Sequence, residues 1–299
     1  MIKLIRYSHV VFMTFLLAMT SHGNEYNDAG DIKIQWIGGP TMLIDFNGMK
    51  ILTDPMLGEG EHAFEMADPN EMFDMSKGPN VKYHKRVSHM PELDLGQLDL
   101  VLLSHAHEDH FDQKAQAELN KKLPMILPIA DLENIKGKGF KNLKPAKYGD
   151  VFSYKVGKGE IEIIAIPADH TENKSIEHIL GEGLGYVIRF KQGQKQTSLY
   201  WTGDSMPTDR VVDFVNGYGP INILVPNMGR VGTTGPLGQI SMGASDVVEL
   251  AAKLSVEKVF PIHHSSYELY LEPINVLSEA AWGKNWGLDV ISEGSVLVY

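Results

Sequence analysis

Three imidazoles and the Asp109 carboxylate fall within six positions in Ser104-His105-Ala106-His107-Glu108-Asp109-His110, just after the apolar run 98–103. Such groups need hydrogen-bond or metal partners once buried, so their density on one loop points away from packing alone. Neutral imidazole with one or two carboxylates, and no thiolate, suits zinc, iron or manganese. In an extended segment, residues two apart point to the same side, so His105 and His107 can face one metal. Asp109 and His110 are then expected to begin a helix, with the run 111–122 (FDQKAQAELNKK) continuing it. That bend turns them toward a second position beside the first. We read these four side chains as holding a metal pair that distant histidines complete.

Three later stretches supply candidates. Strand-like residues 161–167 run into Asp169-His170, a second run reaches Thr202-Gly203-Asp204-Ser205, and a third, 258–262, ends at His263-His264. Taken alone, His170 could be an ordinary loop histidine, and Asp204 could cap the helix expected near Pro207. Beside the first cluster, His170 reads as a ligand.

The string H-x-H-x-D-H, followed by these three stretches in this order, resembles the metallo-β-lactamase superfamily over about residues 32–298. The opening stretch IGGPTMLIDFNGMKILTDP (37–55) is similar to the branch of ascorbate-6-phosphate lactonases and N-acylphosphatidylethanolamine phospholipase D, although Gly39-Pro40 stands where many members have a His-Ala pair. The resemblance implies an α/β fold, a four-layer αββα sandwich with the metals at one edge between the sheets. It implies that His105, His107 and His170 hold one metal, that Asp109, His110 and His263 hold the other, and that Asp204 bridges them. Asp54 would support the metal loop by hydrogen bonding, with a turn cap as the alternative. His264 is a candidate for contact with substrate or ligands.

Composition narrows the rest. The chain has 299 residues with 43% hydrophobic content, enough for a substantial core. It has no cysteine, which excludes disulfides, thiolate ligands and a cysteine nucleophile. Lys3 and Arg6, the apolar run 10–19 and Ser21-His22-Gly23 read as a signal peptide, residues 1–23, too short for a comfortable span. Residues 24–299 then form a single hydrolase domain, periplasmic or secreted, with no stable membrane span. Net charge is −11, and removing residues 1–23 leaves 25 basic against 38 acidic residues. An acidic surface disfavours nucleic acid as a partner.

Between these motifs, 32–38 alternates as a half-buried strand does, and Asn47-Gly48 marks a hairpin. Residues 56–96 show no clean period and are expected to form a loop over the site. The basic and aromatic knot VKYHKRVSH (81–89) lies in it, and Lys82, Lys85 or Arg86 could attract an anionic part of the substrate. Met66, Met72, Phe73 and Met75 could line its apolar wall. Residues 229–238 read as a second rim loop, and 244–254 as an amphipathic helix.

The expected activity is metal-assisted hydrolysis by a hydroxide formed between two divalent ions, zinc first, with manganese or iron as alternatives. Asp109 could also orient that nucleophile. The substrate would be a small molecule, a lactone, ester or phosphodiester. A β-lactam hydrolase and an iron-dependent redox enzyme are the alternatives, and a noncatalytic ligand binder ranks last.

Overall fold

A computed structural model describes residues 30–299. The expected signal segment and the first residues after it lie outside the described residues. In chain order the first half contains β1 (Ile32–Gly38), β2 (Thr41–Phe46), β3 (Met49–Thr53), β4 (Phe64–Ala67), β5 (Val81–His84), β6 (Leu100–Leu102), α1 (Gln113–Glu118), β7 (Met125–Pro128), α2 (Leu132–Gly137) and β8 (Leu143–Ala146). The second half contains β9 (Val151–Val156), β10 (Gly159–Ala168), α3 (Glu177–Leu180), β11 (Gly183–Gln192), β12 (Lys195–Trp201), α4 (Asp209–Asn216), β13 (Ile223–Val225), α5 (Ala244–Leu254), β14 (Lys258–Val259), α6 (Ile274–Ala280), β15 (Gly287–Leu288) and β16 (Val296–Val298).

Among the described residues, two seven-stranded sheets form, in the orders β16-β1-β2-β3-β6-β7-β8 and β15-β14-β13-β12-β11-β10-β9. Alternation along β1 sends Ile32, Ile34 and Trp36 inward. They meet Ile163, Tyr186, Leu199 and Trp201 of the second sheet in one buried cluster. The outer face of the first sheet is covered by α1, the turn before it and α2, through Ala115, Phe111 and Ile135. The outer face of the second is covered by α4 and α5, through Val211, Val215, Val247, Leu250 and Leu254. This is the αββα sandwich. The β2–β3 hairpin turns on Asn47 and Gly48, both with positive φ (52° and 89°), as a tight hairpin of this hand requires.

The elements after β6 depart from expectation. No helix begins at Asp109. Residues 107–111 form a turn closed by the His110 and Phe111 amides on the His107 carbonyl. The helix starts at Gln113, where Asp112 caps it by accepting from Ala115 N at 2.7 Å. The Asp112 carboxylate also accepts from the Leu57 and Gly58 amides, so one side chain anchors both the helix and the chain entering the 56–96 segment.

That segment is not structureless. β4 and β5 pair as a small antiparallel hairpin. Residues at its end and beyond it are tied to the rest of the molecule, with Arg86 bridging to Tyr267. β16 returns to pair with β1, and Glu293 just before it accepts from Arg86 at 2.5 Å.

Candidate metal centre

The candidate ligands and their support Asp54 follow the ends of strands. β3 leads into Asp54, β6 into His105, β10 into His170 and β12 into Asp204, while the chain after β14 reaches His263. β3 and β6 run parallel in one sheet. In the other, β12, β13 and β14 run parallel, and β10 shares their direction because β11 is antiparallel to both β10 and β12. The loops therefore collect at one edge of the sandwich. Two bonds fix that edge between the sheets: Leu184 N donates to Ser104 O at 2.9 Å, and Tyr186 Oη to Leu103 O at 2.8 Å.

Two of the turns depend on unusual backbone. Asp54 and His263 both have positive φ, 28° and 61°. This conformation costs a residue with a Cβ of order ~1–3 kcal/mol and persists where the surroundings hold it. The His263 amide is held by the Gly39 carbonyl at 2.8 Å. Gly203 also has positive φ, and a Cβ there would lie 2.7 Å from the Leu184 carbonyl and 2.8 Å from Ser104 Cβ. Only glycine lets Asp204 approach.

The donor atoms converge in two groups. One ligand atom each from His105, His107 and His170 lie within 4.8 Å of one another, and so do those of Asp109, His110, Asp204 and His263. Asp204 faces both groups. Its Oδ2 is 3.3 Å from His110 Nε2 and 3.9 Å from His170 Nε2, and its Oδ1 is 3.9 Å from His263 Nε2.

The far side of each ring explains why the near side is free. His170 Nδ1 donates to the Ile240 carbonyl (2.8 Å) and His263 Nδ1 to the Met228 carbonyl (2.6 Å). His110 Nδ1 meets Asp54 Oδ2 at 2.6 Å. Ser104 Oγ spends its hydrogen on Asp54 Oδ2 at 2.5 Å, so it accepts from His105 Nδ1 at 2.9 Å. Each outward bond fixes the proton on Nδ1 and leaves an Nε2 lone pair facing inward. Among the described residues, buried side-chain polar atoms without a partner are the Nε2 atoms of His105, His110, His170 and His263 and the hydroxyls of Tyr200 and Tyr270. Four converging, unpartnered lone pairs beside two carboxylates fit a divalent cation.

Electrostatics agree. Burial, with help from His110 and His107, holds His105 well below the ordinary imidazole value. Burial and His170 bring His107 down to about 4, so both are neutral donors. Burial opposes charge on His110, but Asp204, Asp109 and Asp54 outweigh it and raise its pKa. Burial likewise opposes charge on Asp204, yet His263 and His110 keep it ionised well below the carboxylate range. The centre of the site thus favours positive charge.

Other expected residues lie elsewhere. Lys82 pairs with Asp68 (2.6 Å) and Glu71 (2.8 Å), and Lys85 with Glu61 (2.5 Å). Arg86 is buried and donates to Glu293, the Ile37 carbonyl and Tyr267 Oη. All three cations pair with acids of the protein, and none lines the cavity over the ligands. His264 packs on Trp36, ring centroids 4.6 Å apart, and bonds Ser265, so it joins neither ligand group. Of the lid methionines, Met66 lines the cavity over the ligands, whereas Met72 and Met75 are exposed.

The motifs do not reveal three supporting residues. Asn227 donates to Asp204 Oδ1 at 3.0 Å while accepting from Trp201 Nε1. Asp131 accepts from the Ala106 amide in the middle of the metal loop. The Tyr270 ring lies 4.5 Å from that of His263. Asn227 and Asp131 act across 23 and 25 residues, and nothing local marks them.

Known proteins resemble this chain in sequence and fold. The family profile described as Beta-lactamase superfamily domain matches residues 50–264. UPF0173 protein YddR of Bacillus subtilis (strain 168) is 27% identical over 235 residues, 78% of this chain and 85% of the relative. N-acyl-phosphatidylethanolamine-hydrolyzing phospholipase D 1 of Caenorhabditis elegans is 22% identical over 275 residues, 86% of this chain and 71% of the relative. The crystal structure of a possible metal-dependent hydrolase from Veillonella parvula DSM 2008 superposes with a TM-score of 0.71 at 18% identity, covering 89% of this chain and 98% of that one. The chain belongs to the metallo-β-lactamase superfamily, in its class of metal-dependent hydrolases.

Proposed function

We propose that the protein hydrolyses a small lactone or open-chain ester at a pair of divalent cations, zinc first, with manganese or iron as alternatives. His105, His107 and His170 would hold one cation, Asp109, His110 and His263 the other, with Asp204 facing both. The observation that supports this is the convergence of four unpartnered Nε2 atoms on Asp204. When bound, such cations polarise the attacked oxygen and acidify a water.

The chain's own groups do the rest. Asp109 lies on the cavity wall beside the ligands, where a carboxylate oxygen can orient the attacking water and take its proton. Asn227 keeps Asp204 aimed at both groups, and Asp54 keeps His105 and His110 in the donor tautomer. A phosphodiester ranks below a neutral ester. Among the described residues no lysine or arginine lines this cavity, whereas Glu65 and Glu108 do.

The test is Asp109→Asn assayed on lactones, esters, phosphodiesters and β-lactams, with circular dichroism to confirm folding. Turnover by wild type that falls about 10²–10⁴-fold in the folded variant supports the reading. Equal turnover contradicts it. Turnover only of β-lactams, or iron with oxygen consumption, moves the protein to the alternative class. Export belongs to the same proposal, resting on residues 1–23, and the mature N-terminus isolated from the cell envelope tests it. No helix among the described residues is long and apolar enough to cross a membrane.

A further inference from the structure

Over the metal ligands stands a chamber of about 300 Å³ built from three separate loops. Met66, Pro69 and Val81 come from the β4–β5 hairpin region, Leu180 from α3, and Leu237 and Ile240 from the loop before α5. His107, Asp109, His170 and Asp204 form its polar end. Behind the wall, Phe64, Ile176, Tyr267 and Leu269 pack in a buried cluster of their own with Leu180, Val231, Leu237 and Ile240.

The roof is fixed by specific contacts. Asn70 accepts from Gly232 N through its side chain and from Thr234 Oγ1 through its carbonyl, both at 2.7 Å. Gly235 approaches so closely that a Cβ would lie 1.9 Å from the Pro69 carbonyl. A hairpin and a rim loop locked together in this way form a built cavity rather than a gap between loops. A larger cleft of about 910 Å³ lies nearby, but of the proposed ligands it touches only His170.

From the lining we infer that the chamber receives one uncharged acyl or alkyl chain of the substrate while the scissile group sits at the polar end. This deepens the hydrolase reading and rests on it for the chemistry. The charges at the wall, Glu65 and Glu108, repel an anionic tail and have no cationic partner on the lining. The volume sits at the bottom of the usual range for ligand pockets, about 300–1,000 Å³. It suits a single medium chain rather than a two-tailed lipid.

The experiment uses the metal-loaded protein and two probe series. Straight-chain carboxylates from acetate to dodecanoate are titrated by calorimetry, and the matching p-nitrophenyl esters are assayed for kcat/KM. Affinity should rise about three- to fourfold per methylene, the effect of burying one CH₂, and level off before dodecanoate. Met66→Trp and Leu180→Trp, on different loops and checked by melting, should each move the break to shorter chains. Affinity indifferent to length overturns the inference. So does a rise with no break accompanied by turnover of phosphatidylcholine vesicles, because the chain would then lie outside a bounded chamber. If carboxylates show the length dependence but no ester or lactone is hydrolysed, the chamber stands and the hydrolase reading fails.

Discussion

Asp54 Oδ2 lies 2.6 Å from His110 Nδ1, and the same oxygen accepts from Ser104 Oγ, which in turn holds His105. One buried carboxylate therefore orients an imidazole in each ligand group. Partners of this kind set ring direction and ligand basicity. Asp54→Ala should lower metal affinity about 10–100-fold. Competition with a chromogenic chelator measures this, and unchanged affinity would assign Asp54 to turn structure alone.

The approach of Asp204 depends on Gly203. In Gly203→Ala the new Cβ meets the Leu184 carbonyl in a left-handed backbone. Urea unfolding should show a loss of at least about 2 kcal/mol. A loss under half of that would mean the turn relaxes freely.

The cations of residues 81–89 separate by burial. Lys85→Gln removes a half-exposed cation from its surface pair with Glu61 and should change stability by less than ~1 kcal/mol. Arg86→Met leaves Glu293 facing Ser88, Ser266 and, among the described residues, no cation, and should cost about 3–5 kcal/mol. Equal melting temperatures for the two variants would contradict this difference.

Asp131 provides a pH signature. Burial raises its carboxyl from the usual 3.8 to about 6, against the pull of the Ala106 amide. Below about 4 both folded and unfolded chains are protonated and there is no cost. Between the two values the folded protein keeps a proton that the unfolded chain has released. Above about 6 it holds a disfavoured charge. Asp131→Asn should therefore stabilise chelator-stripped protein at pH 7 by about 1–2 kcal/mol, with the gain fading as pH falls from 6 to 4. A gain that does not vary with pH would remove the titration from the explanation.

The convergence of the candidate donors was legible because chemistry and chain order coincide. His105, His107, Asp109 and His110 are adjacent, and His170, Asp204 and His263 each follow an apolar run that can only be a buried strand. α5 was legible to the residue through its apolar stripe. The helix start was not, because Asp112 rather than Asp109 satisfies the free amides. Nor were the partners of Lys82, Lys85 and Arg86. A cation's sequence neighbours do not tell which acid it meets, and Glu293 lies 207 residues from Arg86. The hairpin β4–β5 was hidden because a short edge pair with a broken burial pattern leaves no period to read.

The central claim is that one carboxylate, Asp204, is shared by two cation sites. Native mass spectrometry of the purified protein counts the ions directly. Two divalent ions per wild-type chain, falling to about one in His107→Ala and again in His263→Ala, is the predicted result. A single ion in wild type, lost by both variants alike, would contradict it.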